Sequence, residues 1–152
     1  MKRFLLFISL WLAAEWAFAQ PRTSLSPALE GERTEYAVTL QFKKVHLSGI
    51  CILKRMNAEI VGSWLNEFGV RAFDFRYTPS NHRIELSSLL ETLDRWYIRR
   101  VLRRDLSLLL TYSDLPPSTP IRGRRIEHPS PERWILHNDR HHITYRFSRL
   151  TK

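Results

Sequence analysis

Tyr36-Ala37-Val38-Thr39-Leu40-Gln41-Phe42 sets the period from which the fold is read. Tyr36, Val38, Leu40 and Phe42 fall on one side, and Ala37, Thr39 and Gln41 on the other. Large apolar residues at every second position mark a strand buried on one face. The same alternation closes the chain, where Ile143, Tyr145 and Phe147 are separated by Thr144 and Arg146. Two such strands at opposite ends of one small chain call for a common core, so both ends are expected to pair into one sheet.

Working inward, Leu47 to Lys54 reads as a second strand, in which Gly49 permits a bend or bulge. Ala58 to Glu67 is a third, Val70 to Tyr77 a fourth and His82 to Leu86 a short fifth. Phe73, Phe75 and Tyr77 share one face of the fourth. The joints at Phe68-Gly69 and Thr78-Pro79-Ser80-Asn81 are too short for parallel crossovers, so an antiparallel meander is expected.

The period then changes. Ser88-Leu89-Leu90-Glu91 has the form of a capping box, and Leu90, Leu93, Tyr97, Val101 and Leu108 follow at helical spacing. This predicts a helix from Ser88 to Leu110, with a break near Asp105 as one option. Asp114 to Pro120, with three prolines, is read as a loop. A strand over Arg122 to Glu127 and a hairpin of Arg133–His137 and His141–Ser148 around Asn138-Asp139-Arg140 complete the chain.

Met1-Lys2-Arg3, the apolar run from Phe4 and Ala17-Phe18-Ala19 have the basic, apolar and small-residue order of a secretory signal. Residues 1–19 are therefore expected to be cleaved before Gln20, and the protein to be exported to the periplasm or envelope. Residues 20–34, rich in Pro, Ser and Thr, are expected to form a flexible leader, and residues 35–152 a single domain. Without Lys2, Arg3 and Glu15 the net charge falls only from +9 to +8. Such charge favours anionic partners. Cys51, the one cysteine, lies in Ile50-Cys51-Ile52-Leu53 and reads as a buried structural thiol.

Chemistry-bearing motifs are absent from the sequence: no zinc-protease helix, phosphate-binding glycine loop or Gly-x-Ser-x-Gly elbow is present. Glu59, Glu67, Asp74 and Glu85 sit in or beside strands, but no spacing pairs them for catalysis. His137, Asp139, His141 and His142 flank a turn, and successive strand residues point to opposite faces, so a solvated hairpin tip is expected rather than a metal site. Arg95, Arg99 and Arg103 step by four along one helix face, with Arg100 and Arg104 beside them. Arginine forks suit phosphate, so these three are the expected contacts to anionic headgroups. A merely solvated helix face is the competing reading.

Three local features carry a family resemblance. They are Leu47-Ser48-Gly49-Ile50-Cys51-Ile52-Leu53-Lys54, the segment Leu65-Asn66-Glu67-Phe68-Gly69-Val70-Arg71-Ala72-Phe73-Asp74-Phe75, and Trp134 opening a late strand. Over residues 35 to 147 the order of elements resembles the periplasmic outer-membrane lipoprotein carrier and receptor family. The resemblance implies an incomplete antiparallel barrel around an apolar cavity, with helices as a lid.

The expected fold is therefore α+β: a curved antiparallel half-barrel of seven or eight strands, with one long helix across its concave face. Such a sheet has more apolar inner surface than one helix covers, and the remainder suits an acyl chain. Trp64, Phe73 and Phe75 on the sheet, with Tyr97 and Val101 on the helix, are the expected lipid-binding residues. The expected function is non-enzymatic binding of a lipid, or of the acyl part of a lipoprotein or glycolipid. An anionic membrane surface is a further expected partner, and nucleic acid, cofactor and metal are not expected. A small structural or interaction protein with a filled core is the second reading, and a periplasmic hydrolase the third.

Overall fold

A computed structural model describes residues 24–43, 45–113 and 120–151. The expected signal segment 1–19, its cleavage point before Gln20, and most of the loop at Asp114 to Pro120 lie outside the described residues. Five strands come first: β1 (Arg33–Phe42), β2 (Val45–Met56), β3 (Glu59–Asn66), β4 (Arg71–Thr78) and β5 (Arg83–Ser87). The helix α1 (Trp96–Tyr112) follows, and then β6 (Arg124–Ser130), β7 (Arg133–Asn138) and β8 (Ile143–Arg149). Among the described residues no helix is long and apolar enough to cross a membrane.

All eight strands form one antiparallel sheet in the order β5-β4-β3-β2-β1-β8-β7-β6. The first and last strands meet at its centre, where Val38 pairs with Phe147 and Leu40 with Tyr145. The sheet does not close, because β5 and β6 remain its edges. The described residues thus form a curved α+β arrangement of one sheet and one helix. α1 contacts β5 at one edge and β6 and β7 at the other.

The period of two is visible in the burial. Tyr36 and Val38, Cys51 and Leu53, Phe73, Phe75 and Tyr77, Trp134 and Leu136, and Tyr145 and Phe147 are all buried. Their rings interlock across strands. Trp64 lies 5.8 Å from Phe147 and 5.4 Å from Phe73, and Tyr36 meets Trp134 edge-on at 5.7 Å. Cys51 is fully buried, and burial pushes its thiol pKa up, as expected of a structural cysteine.

Two glycines let backbone and rings come close. A Cβ at Gly49 would fall on the Leu65 carbonyl of β3, and the β2–β3 pairing runs through Gly49 without a shift. The irregularity lies one pair further on, where β4 carries the extra residue Ala72 opposite Trp64 and Leu65. A Cβ at Gly62 would fall on the Phe75 ring, which lies over the bare backbone of β3.

Four expectations are corrected. The described part of the leader is ordered against the domain, and Leu25 is buried in the core. The Leu25 carbonyl accepts the Tyr36 hydroxyl at 2.6 Å, and the Pro27 carbonyl accepts Arg55 Nε at 2.7 Å. A Pro- and Ser-rich segment therefore packs, because it anchors through backbone groups that composition does not reveal. The helix starts eight residues later than Ser88, which adopts a φ of +52° and cannot cap it. Asp105 does not break the helix, since its carboxylate is buried with partners of its own. β6 runs on to Ser130 past Pro129, which an edge strand tolerates because its missing N–H leaves no ladder bond unmade.

Candidate functional site

An apolar groove of about 420 Å³ lies between the first half of α1 and the sheet. Leu40, Leu47, Phe73 and Tyr145 come from the sheet, and Tyr97 and Val101 from the helix. Val45 and Tyr97, which are 55% and 54% exposed, place its mouth at the surface. The alternation of β1 aims Leu40 inward, and the four-residue step of α1 stacks Tyr97 and Val101 along one side.

The fully buried residues of the helix begin at Leu102, and most of its polar ties to the sheet lie in its second half. Its buried residues are Leu102, Asp105, Leu106, Leu109 and Leu110. Asp105 Oδ1 accepts Arg124 Nε at 2.7 Å, its two oxygens accept Asn138 Nδ2 at 3.0 and 2.9 Å, and Oδ2 accepts the Tyr145 hydroxyl at 2.8 Å. Burial, reinforced by the Asp105 charge, raises the Tyr145 phenol well above its ordinary pKa, so it stays a neutral donor. Further down, Thr111 Oγ1 bonds the Tyr77 hydroxyl at 2.8 Å, and the Ser113 carbonyl accepts Trp134 Nε1 at 3.2 Å. The first turn has none of this. It has no side-chain cap and no acidic residue, and Trp96 is 75% exposed.

Of the five residues expected to hold lipid, Phe73, Tyr97 and Val101 line the groove. Phe75 and Trp64 do not: Phe75 folds over Gly62, and Trp64 is buried behind Phe73. Among the described residues the buried indole Nε1 of Trp64 has no hydrogen-bond partner. The three expected headgroup arginines diverge in role. Arg95 is exposed at the start of α1, Arg99 binds Asp94 at 2.6 Å, and Arg103 lines a separate cavity. The hydrogen bond from Arg99 holds the Asp94 carboxyl below its usual pKa.

The strand carboxylates serve the sheet. Glu59 pairs with Arg76 and accepts the Thr78 hydroxyl, while Asp74 pairs with Arg71 and accepts the Ser63 hydroxyl. Among the described residues no cluster of His, Cys, Asp and Glu is placed to hold a metal ion. Sequence reasoning missed the Asp105–Arg124–Asn138–Tyr145 network. One signal for it was available: Asp105 interrupts the apolar face of the helix between Leu102 and Leu109, where a carboxylate needs a cationic partner. Compared with known protein-family models, curated proteins and solved structures, the chain matches none of them.

Proposed function

We propose that this chain is an exported, non-enzymatic cell-envelope protein that binds a lipid, or the acyl part of a lipoprotein or glycolipid. In this reading the sheet is a half-barrel, α1 is the lid across its concave face, and the likeness to lipoprotein carriers and receptors reflects shared function. The contact of α1 with both sheet edges supports the lid. The observation that carries the reading is the groove between Tyr97 and Val101 on one side and Leu40, Leu47 and Phe73 on the other. Its volume of about 420 Å³ falls within the range of roughly 300–1,000 Å³ common for small-molecule sites.

The start of α1 supports an anionic headgroup. Arg95 and Arg100 stand at the positive end of the helix dipole with no acid in the first turn, while Arg99 is paired with Asp94 just before it. That arrangement is electrostatically costly by itself and is relieved by a bound anion. A filled core without ligand is the second reading, favoured by the complete burial of Trp64 and Phe75. Lipid mass spectrometry on protein purified from its native envelope separates the two. A co-purifying acyl lipid, absent from a Val101→Glu variant, is the expected result, and lipid-free protein favours the filled core.

A further inference from the structure

A second cavity, of about 630 Å³, lies against the other half of α1. Arg103 and Arg104 of the helix, Arg122 and Arg124 at the start of β6, and Arg140 of the β7–β8 turn all line it, with His82. Among the described residues outside the cavity, Arg33 has Glu35, Arg71 has Asp74, Arg76 has Glu59 and Arg83 has Glu85. Arg55, Arg95, Arg100, Arg133, Arg146 and Arg149 have no carboxylate within 4.0 Å and are spread over the surface. The cavity differs in gathering such arginines in one concave space. Within it only Arg124 has a carboxylate beside it, that of Asp105. Among the described residues Arg103, Arg104, Arg122 and Arg140 have no carboxylate within 4.0 Å.

Asp139 and Asp105, the acids next to Arg140 in sequence and to Arg124 in space, are committed elsewhere. Asp139, next to Arg140, accepts Arg125 Nε at 2.9 Å and Nη2 at 3.3 Å. Asp105 is saturated by Arg124, Asn138 and Tyr145.

The frame that carries these charges is braced. Ile121 and Arg124 exchange backbone hydrogen bonds at 2.7 and 3.0 Å, and the Arg122 carbonyl accepts Arg124 Nη1 at 3.0 Å. The Asp139 N–H donates to the Gly123 carbonyl at 3.0 Å, which ties the turn bearing Arg140 to the turn bearing Arg122. His82 spends Nδ1 on the Tyr77 and Thr111 hydroxyls, and the Ser107 hydroxyl donates to its carbonyl at 2.6 Å. Four unneutralised guanidinium groups from three chain segments thus share one concave space. Folding brings like charges together there, which is unfavourable unless an anion joins them.

We propose that this cavity binds a multiply charged phosphate group, a phosphomonoester or a pyrophosphate. Each guanidinium fork pairs with two phosphate oxygens, and a single carboxylate would leave most of the forks unused. The site stands independently of the acyl groove.

The test is calorimetric titration of the full chain with inorganic pyrophosphate at low salt. Arg104→Gln and Arg140→Gln should each weaken binding roughly tenfold, the loss typical of one charge-assisted hydrogen bond. Arg146→Gln, which removes the same charge from β8 outside the cavity, should change it less than about twofold. Unchanged thermal midpoints show that the variants remain folded. Absence of saturable binding, or equal weakening by Arg146→Gln, overturns the proposal. Co-sedimentation with phosphatidic acid vesicles, against phosphatidylcholine, identifies the source. Loss of vesicle binding in Arg140→Gln assigns the phosphate to a lipid headgroup. Unchanged vesicle binding beside lost pyrophosphate binding assigns it to a soluble phosphate. Val101→Glu, which targets the groove, should leave pyrophosphate binding intact, so the two sites fail separately.

Discussion

The Tyr145 hydroxyl donates to Asp105 Oδ2 at 2.8 Å, joining the central strand β8 to the middle of α1 beneath the apolar groove. Tyr145 therefore does two things: its ring lines the groove, and its hydroxyl fixes the helix that covers it. The same carboxylate holds Arg124 and Asn138, so β6, β7 and β8 converge on one residue of the helix.

Asp105→Ala should cost about 3–5 kcal/mol, because it strands the buried Arg124 charge. Tyr145→Phe should cost less, about 1–3 kcal/mol, the loss of one buried hydrogen bond. Urea unfolding measures both. In the Asp105→Ala/Arg124→Ala pair the losses should be well short of additive. Additive losses would mean that the two side chains do not act together.

Gly62→Ala should destabilise the fold by about 1–3 kcal/mol, since its Cβ would fall on the Phe75 ring. Combining it with Phe75→Leu should recover part of the loss relative to the sum of the single changes. If Gly62→Ala melts with the wild type, the ring does not depend on the bare backbone.

Much of the fold was legible because alternation is strong where one face is buried. Tyr36/Val38 and Tyr145/Phe147 announced the strands that pair at the centre of the sheet. The start of the helix was misplaced because Ser88-Leu89-Leu90-Glu91 fits a capping pattern, while Ser88 has left-handed backbone and the chain turns through residues 90–94 first. Phe73, Tyr97 and Val101, chosen with Phe75 and Trp64 from the period and the expected half-barrel, line the groove. Phe75 and Trp64 could not be told from core, because the space they fill depends on Gly62 and on rings from distant strands. The arginine cavity was invisible for a similar reason. Arg104, Arg122 and Arg140 lie on separate segments, and only the fold brings them together.

Alkaline pH should weaken the protein. Burial raises the Cys51 thiol and the Tyr145 phenol in the folded state. In the unfolded chain they ionise near about 8.5 and about 10. Groups with raised folded values stabilise fully below the unfolded pKa, and that contribution is lost as pH climbs towards the folded one. Stability should therefore fall by up to about 1.4 kcal/mol per pH unit for each group, above about pH 8.5 for Cys51 and above about pH 10 for Tyr145. Cys51→Ala should flatten the slope between about pH 9 and 10. An identical slope in the variant would remove Cys51 from the account.

A chain ended at Ser113 loses β6, β7 and β8, and with them the partner of β1 and the ligands of Asp105. It should show collapsed amide dispersion and no cooperative melting. A folded fragment would mean that the first five strands and α1 are self-sufficient.

The proposal that the groove binds an acyl chain is tested most directly by displacing a fluorescent fatty acid from the full chain with saturated fatty acids of increasing length. Affinity should rise by up to about 0.8 kcal/mol per methylene, roughly fourfold, until the groove is full. Val101→Glu should abolish binding at an unchanged melting midpoint, because Val101 lines the groove and is only partly buried. Affinity independent of chain length, equal in wild type and Val101→Glu, would contradict the groove as a lipid site.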